Sequence, residues 1–175
     1  MRKSLLERAR RVRLAIFDVD GVLTDGSLHI FPRGEELKIF NILDGHGLRM
    51  LGDSGVRLAI LSGRRSGAVV KRAREVGITH VIQGAKEKLA AYRSLLRKLQ
   101  LSEQHTAFMG DDLPDLPVLR RCGFAISVPG APALVRTHVH YITSAAGGRG
   151  AVREACELIM RAQGTFEIRM ESYLR

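Results

Sequence analysis

The sequence predicts an α/β fold: a doubly wound parallel sheet with a β-hairpin inserted after its first strand and no cap domain. Short apolar runs alternate along the chain with amphipathic helical stretches, the pattern of parallel strands joined by right-handed crossovers. The first run, Leu14-Ala15-Ile16-Phe17, is apolar throughout, as a strand covered on both faces must be. Spacing leaves no room for an inserted cap: 43 residues separate Asp18 from Ser62 and 25 separate Ser62 from Lys88. The hairpin and crossover helices consume both stretches.

The elements follow in order. After the first strand comes Asp18-Val19-Asp20-Gly21, polar residues at a strand's carboxyl end. Residues 27–31 and 36–40 flank Pro32-Arg33-Gly34 and read as the hairpin. Asp44 is placed as the cap of a helix running to about Ser54, with Gly55 after its end. Residues 57–61 form the next strand and 65–76 a basic helix that stops at Gly77. A strand at 79–82 leads to a helix over 86–99, whose Leu89, Tyr92, Leu95, Leu96 and Leu99 share a face. Thr106–Met109 is a strand ending in Gly110-Asp111-Asp112, followed by a helix that ends near Gly123. Strands at 124–128 and 139–142 and a helix over 151–163, stopped by Gly164, complete the pattern. The chain divides into a basic segment 1–12, one domain over 13–164, and a polar tail 165–175 with no assigned structure.

Composition narrows the function classes. Of 175 residues, 45% are hydrophobic and 26% charged, ordinary globular usage that excludes intrinsic disorder. No apolar run has a membrane helix's length, and the charged N-terminus lacks the apolar stretch of a secretory signal. Cys122 and Cys156 form no disulfide framework and fit reduced thiols in a cytoplasmic protein. The net charge is +10, and residues 1–13 carry +5 of it. That leader admits a nucleic-acid partner, but aromatic content of 5% without Trp supplies no stacking platform, so nucleic acid is not the expected partner.

In a doubly wound sheet, the loops at the strands' carboxyl ends share one crevice. Here they carry Asp18 and Asp20, Ser62, Lys88, and Asp111, Asp112 and Asp115. Carboxylates converging without His or Cys call for a hard cation, Mg²⁺. Ser62-Gly63 and a lysine at a helix start are phosphate-binding parts. A carboxylate nucleophile, a second carboxyl two residues on and a phosphate cradle describe phosphoryl transfer through an aspartyl-phosphate.

These residues also carry a resemblance. Asp18-Val19-Asp20-Gly21-Val22-Leu23-Thr24-Asp25-Gly26, Leu61-Ser62-Gly63-Arg64, Lys88 and Gly110-Asp111-Asp112-Leu113-Pro114-Asp115 resemble the four motifs of the haloacid dehalogenase superfamily, in order and each after an apolar strand. The segments from Gly34 to Gly47, Gly77 to Gly84 and Ala146 to Glu154 are similar to its capless 3-deoxy-D-manno-octulosonate (Kdo) 8-phosphate phosphatases, which serve lipopolysaccharide precursor synthesis.

The resemblance implies a Rossmann-like fold and a role for each position. Asp18 is expected as nucleophile and Asp20 as general acid/base, with Ser62 and Lys88 on the transferring phosphoryl group. Mg²⁺ is expected on the Asp18 carboxylate, the Asp20 carbonyl and Asp111, backed by Asp112 and Asp115. Substrate contacts fall on Asn41, Asp44, Gly45, Arg49, Arg64 and Arg72, and three arginines suit a substrate with both carboxylate and phosphate. Leu43, where some relatives are basic, leaves room for another sugar-acid phosphate such as a nonulosonate 9-phosphate. A nucleic-acid-binding protein with a retired site is the reading from another class, and the intact Asp18/Asp20 pair speaks against it. The histidines are read as non-catalytic, and Arg149 as a loop residue or a contact into a neighbouring site. Capless relatives imply a homotetramer in which residues 27–41 are an interface hairpin and neighbouring subunits close the site.

Overall fold

A computed structural model describes residues 2–32, 34 and 36–174; Arg33 and Glu35 of the expected hairpin turn lie outside the described residues. Six parallel strands form the sheet: β1 (Leu14–Phe17), β4 (Arg57–Leu61), β5 (His80–Ile82), β6 (Thr106–Met109), β7 (Phe124–Ser127) and β8 (Tyr141–Ile142), in the order β5-β4-β1-β6-β7-β8. β1 is central, pairing Leu14 with Arg57 on one side and with Thr106 on the other. All four of its residues are buried, which is why it reads as an unbroken apolar run. From β1 the chain winds outward through β4 and β5, then returns to β6 on β1's other flank. That reversal opens a crevice at β1's carboxyl end.

Right-handed crossovers put the helices on both faces. α2 (Ile42–Asp53) and α7 (Ala151–Gln163) pack together with α1 (Arg2–Arg10) on one side, and α3 (Gly67–Glu75) lies beside α2. α4 (Lys88–Leu99) and α5 (Leu116–Leu119) pair on the other side. Tyr92 of α4 is completely buried and meets Thr106 Oγ1 through its hydroxyl at 2.8 Å. A short α6 (Ala133–Arg136), not foreseen from the sequence, connects β7 to β8.

Both chain ends fold onto the body. In α1, Ala9 is buried, Arg10 Nε donates to the Ala162 carbonyl (3.1 Å) and Arg8 Nη1 to that of Gly123 (3.0 Å). The leader's charge is therefore partly engaged in packing a helix. The tail, to which the sequence assigns no structure, is α8 (Phe166–Tyr173). Gly164, at φ +72°, turns the chain, and Phe166 is buried beneath the Arg161 guanidinium, 3.6 Å from its ring centroid.

The hairpin is shorter than its two five-residue arms suggest. Among the described residues, pairing is confined to β2 (His29–Ile30) and β3 (Glu36–Leu37), closed by the Gly34 N–H donating to the Phe31 carbonyl (2.8 Å). Its apolar residues Leu28, Ile30, Phe31, Leu37 and Ile39 are all exposed. A two-stranded ribbon that buries little apolar surface has little to extend its pairing.

Candidate active site

Asp18 extends the sheet by one hydrogen bond, its N–H donating to the Met109 carbonyl (2.9 Å), and its side chain is buried where β1 ends. The chain then turns tightly, the N–H groups of Leu23 and Thr24 both donating to the Val19 carbonyl. Gly21 lies at φ +79°, and a Cβ there would sit 2.0 Å from Asp111 Oδ2. A side chain at Gly21 would thus fill the space that Asp111 occupies.

Lys88, at the start of α4, is buried between two carboxylates: its Nζ is 2.8 Å from Asp18 Oδ2 and 2.6 Å from Asp115 Oδ1. Asp115 spends its other oxygen on the N–H groups of Asp111 (3.0 Å) and Asp112 (3.2 Å). Asp115 therefore aims Lys88 and shapes the loop after β6. Asp112 turns outward and accepts from the Leu113 N–H (2.7 Å), a local cap. Ser62 is buried at the end of β4, its Oγ accepting from the Arg64 N–H (3.3 Å).

Oxygens of Asp18, Asp111 and Asp115 lie within 4.8 Å of one another, and Asp111 Oδ1 is buried without a hydrogen-bond partner. Burial, then the charge of Asp115, pushes Asp18 up to about 6 against the pull of Lys88. Burial, then the charges of Asp18, Asp115 and Asp112, pushes Asp111 up to about 7. Crowded, desolvated carboxylates and an unpartnered buried oxygen fit a hard divalent cation. The compact cluster contains Asp115 where the sequence reading places Asp20, whose expected ligand is its main-chain carbonyl. The Asp20 carboxylate faces Lys38 and Arg64 instead.

The expected substrate contacts separate into two groups. Arg64 stands at the mouth, its Nη2 2.8 Å from Glu36 Oε2 and its Nε 3.7 Å from Asp20 Oδ2. The others are engaged in the fold. Asn41, and not Asp44, caps α2, its side chain accepting from the N–H groups of Leu43 (2.8 Å) and Asp44 (3.3 Å). Asp44 is buried within α2 and accepts from the N–H groups of Gly150 (3.2 Å) and Arg153 (2.8 Å), so it caps α7. Gly45 makes room for Arg72, whose Nη2 donates to the Asn41 carbonyl (3.3 Å). Arg49 donates through Nε and Nη2 to the Glu75 carbonyl (3.2 and 2.5 Å) at the carboxyl end of α3, away from the crevice.

The sequence reading missed Lys38 and Glu36. Lys38 Nζ contacts Asp20 Oδ1 and lies 2.5 Å from Glu36 Oε1, with the Lys38 side chain 2% exposed. The available signal was the hairpin's alternation, which puts positions 36 and 38 on one face.

A sequence profile of haloacid dehalogenase-like hydrolases matches residues 28–123. The chain is also 46% identical, over 93% of its length and 87% of the relative's, to 3-deoxy-D-manno-octulosonate 8-phosphate phosphatase of Yersinia pestis. It belongs to the haloacid dehalogenase-like hydrolases. Among solved structures, the hydrolase is similar to 3-deoxy-D-manno-octulosonate 8-phosphate phosphatase from Moraxella catarrhalis in complex with magnesium, phosphate and Kdo. That match has a TM-score of 0.97 at 44% identity and covers 99% of both chains. The cobalt-bound deoxy-D-mannose-octulosonate 8-phosphate phosphatase from Haemophilus influenzae matches with a TM-score of 0.91 at 37% identity, covering 96% of this hydrolase and 99% of that chain. Both superpositions run well beyond residues 28–123, which fits the packing of both terminal helices against α7.

Proposed function

We propose that this hydrolase is an Mg²⁺-dependent phosphatase converting 3-deoxy-D-manno-octulosonate 8-phosphate into Kdo and phosphate, a step of lipopolysaccharide precursor synthesis. One observation carries the chemistry: the Asp18 carboxylate is held by Lys88 at the end of the central strand, with Asp20 two residues on and Asp111 beside it. Asp18 attacks phosphorus in line, the ester P–O bond breaks, and Asp20 gives a proton to the departing alkoxide. Asp20 then takes a proton from the water that attacks phosphorus, releasing phosphate and restoring the Asp18 carboxylate. Ser62 and Lys88 supply fixed donors to the phosphoryl oxygens. Mg²⁺, held by Asp18, Asp111 and the Asp20 carbonyl, would neutralise the phosphate's charge and offset the repulsion among the carboxylates. Arg64, already at the mouth, reads the substrate's carboxylate.

The same reading makes the enzyme a cytoplasmic homotetramer. No helix among the described residues is long and apolar enough to cross a membrane, and both cysteines are free and buried. The exposed apolar hairpin residues, with Ile42 and Leu43 beside them, are a surface for a second copy to cover. Exposed Leu43, in place of a basic residue, favours a nonulosonate 9-phosphate as the second substrate to try.

The test is phosphate release from a panel of sugar phosphates, with and without Mg²⁺, by wild type and Asp18→Asn. Best turnover of Kdo 8-phosphate that needs both Mg²⁺ and Asp18 is expected. Activity surviving Asp18→Asn refutes the covalent route, and best turnover of a phosphate without a carboxylate refutes the substrate.

A further inference from the structure

Resting on the assignment of Asp20 as the acid/base, we propose that Lys38 is a positioning residue that holds the Asp20 carboxylate at the crevice mouth, aimed at the leaving oxygen. Lys38 lies outside the main sheet, just after β3 of the hairpin. Its ammonium contacts Asp20 Oδ1 and lies 2.5 Å from Glu36 Oε1. Glu36 Oε2 is 2.8 Å from Arg64 Nη2, and Arg64 Nε is 3.7 Å from Asp20 Oδ2. Asp20, Lys38, Glu36 and Arg64 thus close a ring of two acids and two bases. The ring ties the loop after β1 to the hairpin and to the loop after β4.

Confinement of Lys38 is the informative feature. A lysine side chain loses much rotamer freedom when immobilised, so a nearly solvent-free one indicates partners that repay the loss. Here those partners are two carboxylates, which leave the ammonium engaged before any substrate arrives. The Lys38 Nζ and the Arg64 guanidinium address different oxygens of Asp20, so the pair restrains the carboxylate's rotation as well as its place. A general acid works only within hydrogen-bond reach of the oxygen it protonates. An Asp20 freed to choose among rotamers would spend part of its time out of reach. Lys38 thereby acts on the reaction through Asp20.

The experiment compares first-turnover release of the leaving group from an alkyl and an aryl phosphate. The alkyl ester is the aliphatic phosphate that wild type hydrolyses best, beginning with Kdo 8-phosphate; the aryl ester is p-nitrophenyl phosphate, whose phenolate leaves without a proton. A wrong substrate assignment therefore changes the alkyl ester used and leaves the comparison intact. For Lys38→Met the alkyl rate is expected to fall about 10–100-fold while the aryl rate stays within about threefold. Lys38→Arg should recover part of the alkyl loss. In an Asp20→Asn background Lys38→Met should add no further loss, since both act on one group. Equal losses on both esters, losses that multiply with Asp20→Asn, or a raised KM at unchanged kcat would each overturn the proposal.

Discussion

Replacing Asp111 by Asn should stabilise the metal-free protein while removing its response to Mg²⁺. Burial and the neighbouring carboxylates raise Asp111 from 3.8 to about 7 in the fold. A carboxyl with a raised folded-state pKa contributes its full stability below the unfolded value. That contribution disappears as pH rises through the folded value. Each tenfold change in proton affinity is worth about 1.36 kcal/mol, so the rise to about 7 sets a ceiling of about 4 kcal/mol lost by pH 8. Asp111 keeps partial contact with water, which reduces the cost to about 1–2 kcal/mol. Asn has nearly the same shape and no charge, so it escapes that loss. In chelator at pH 8, Asp111→Asn should melt about 2–8 °C above wild type; the gap should narrow at pH 5, where the folded-state carboxyl is protonated, and close only below the unfolded value of 3.8. Added Mg²⁺ should raise the wild-type midpoint and leave the variant's unchanged. Thermal scans at both pH values, with and without Mg²⁺, give all four comparisons. A variant no more stable than wild type at pH 8 in chelator would refute the account of the cluster as self-repelling.

Other perturbations separate structural roles from chemical ones. Lys88→Met leaves Asp18 and Asp115 buried without their shared cation, and denaturant titration at pH 8 should show a loss of about 3–5 kcal/mol. That loss should shrink at pH 5, because protonating Asp18 relieves the repulsion. Asp44→Ala frees the Gly150 and Arg153 N–H groups and should cost about 0.5–2 kcal/mol in denaturant titration. KM in steady-state assays should stay near the wild-type value, whereas a large KM rise would return Asp44 to the substrate. Ile30→Glu with Ile39→Glu places charge on the exposed hairpin face; if that face joins the proposed tetramer, light-scattering mass should shift to smaller species, with activity falling in parallel.

What was legible in the sequence was what chain geometry makes local. Asp18, Ser62 and Asp111 each follow an apolar strand, and parallel topology brings those strand ends to one edge whatever the details. Lys88 could be placed for the same reason, as the start of the helix after β5. Side chains on helices were harder, because the face decides their role. Arg49 lies five residues beyond Asp44, about 140° further round α2, so it caps α3 while Asp44 caps α7. Asp44 and Asn41 both have cap chemistry, and only the fold shows which helix each one serves. Lys38 was hidden because its partner is 18 residues away and the pairing depends on how the hairpin folds back. The tail looked polar because its anchors are few and scattered: Phe166 is buried, Met170 packs against the core and Tyr173 meets the His46 ring edge-on.

The cap that Asp44 places on α7 also ties the end of the chain to its beginning. Every residue assigned to the chemistry lies between positions 18 and 115, so a growing polypeptide holds all of them while its last third is still unmade. Yet the turn after Asp18 rests on what comes later: the Gly148 N–H donates to the Val22 carbonyl (3.0 Å), and a Cβ on Gly147 would lie 1.8 Å from the Gly21 carbonyl oxygen. Asp44 secures that late segment from an early helix. Synthesis therefore delivers the reagents first and the vessel last: the turn that follows Asp18 is braced by a segment made after every one of them.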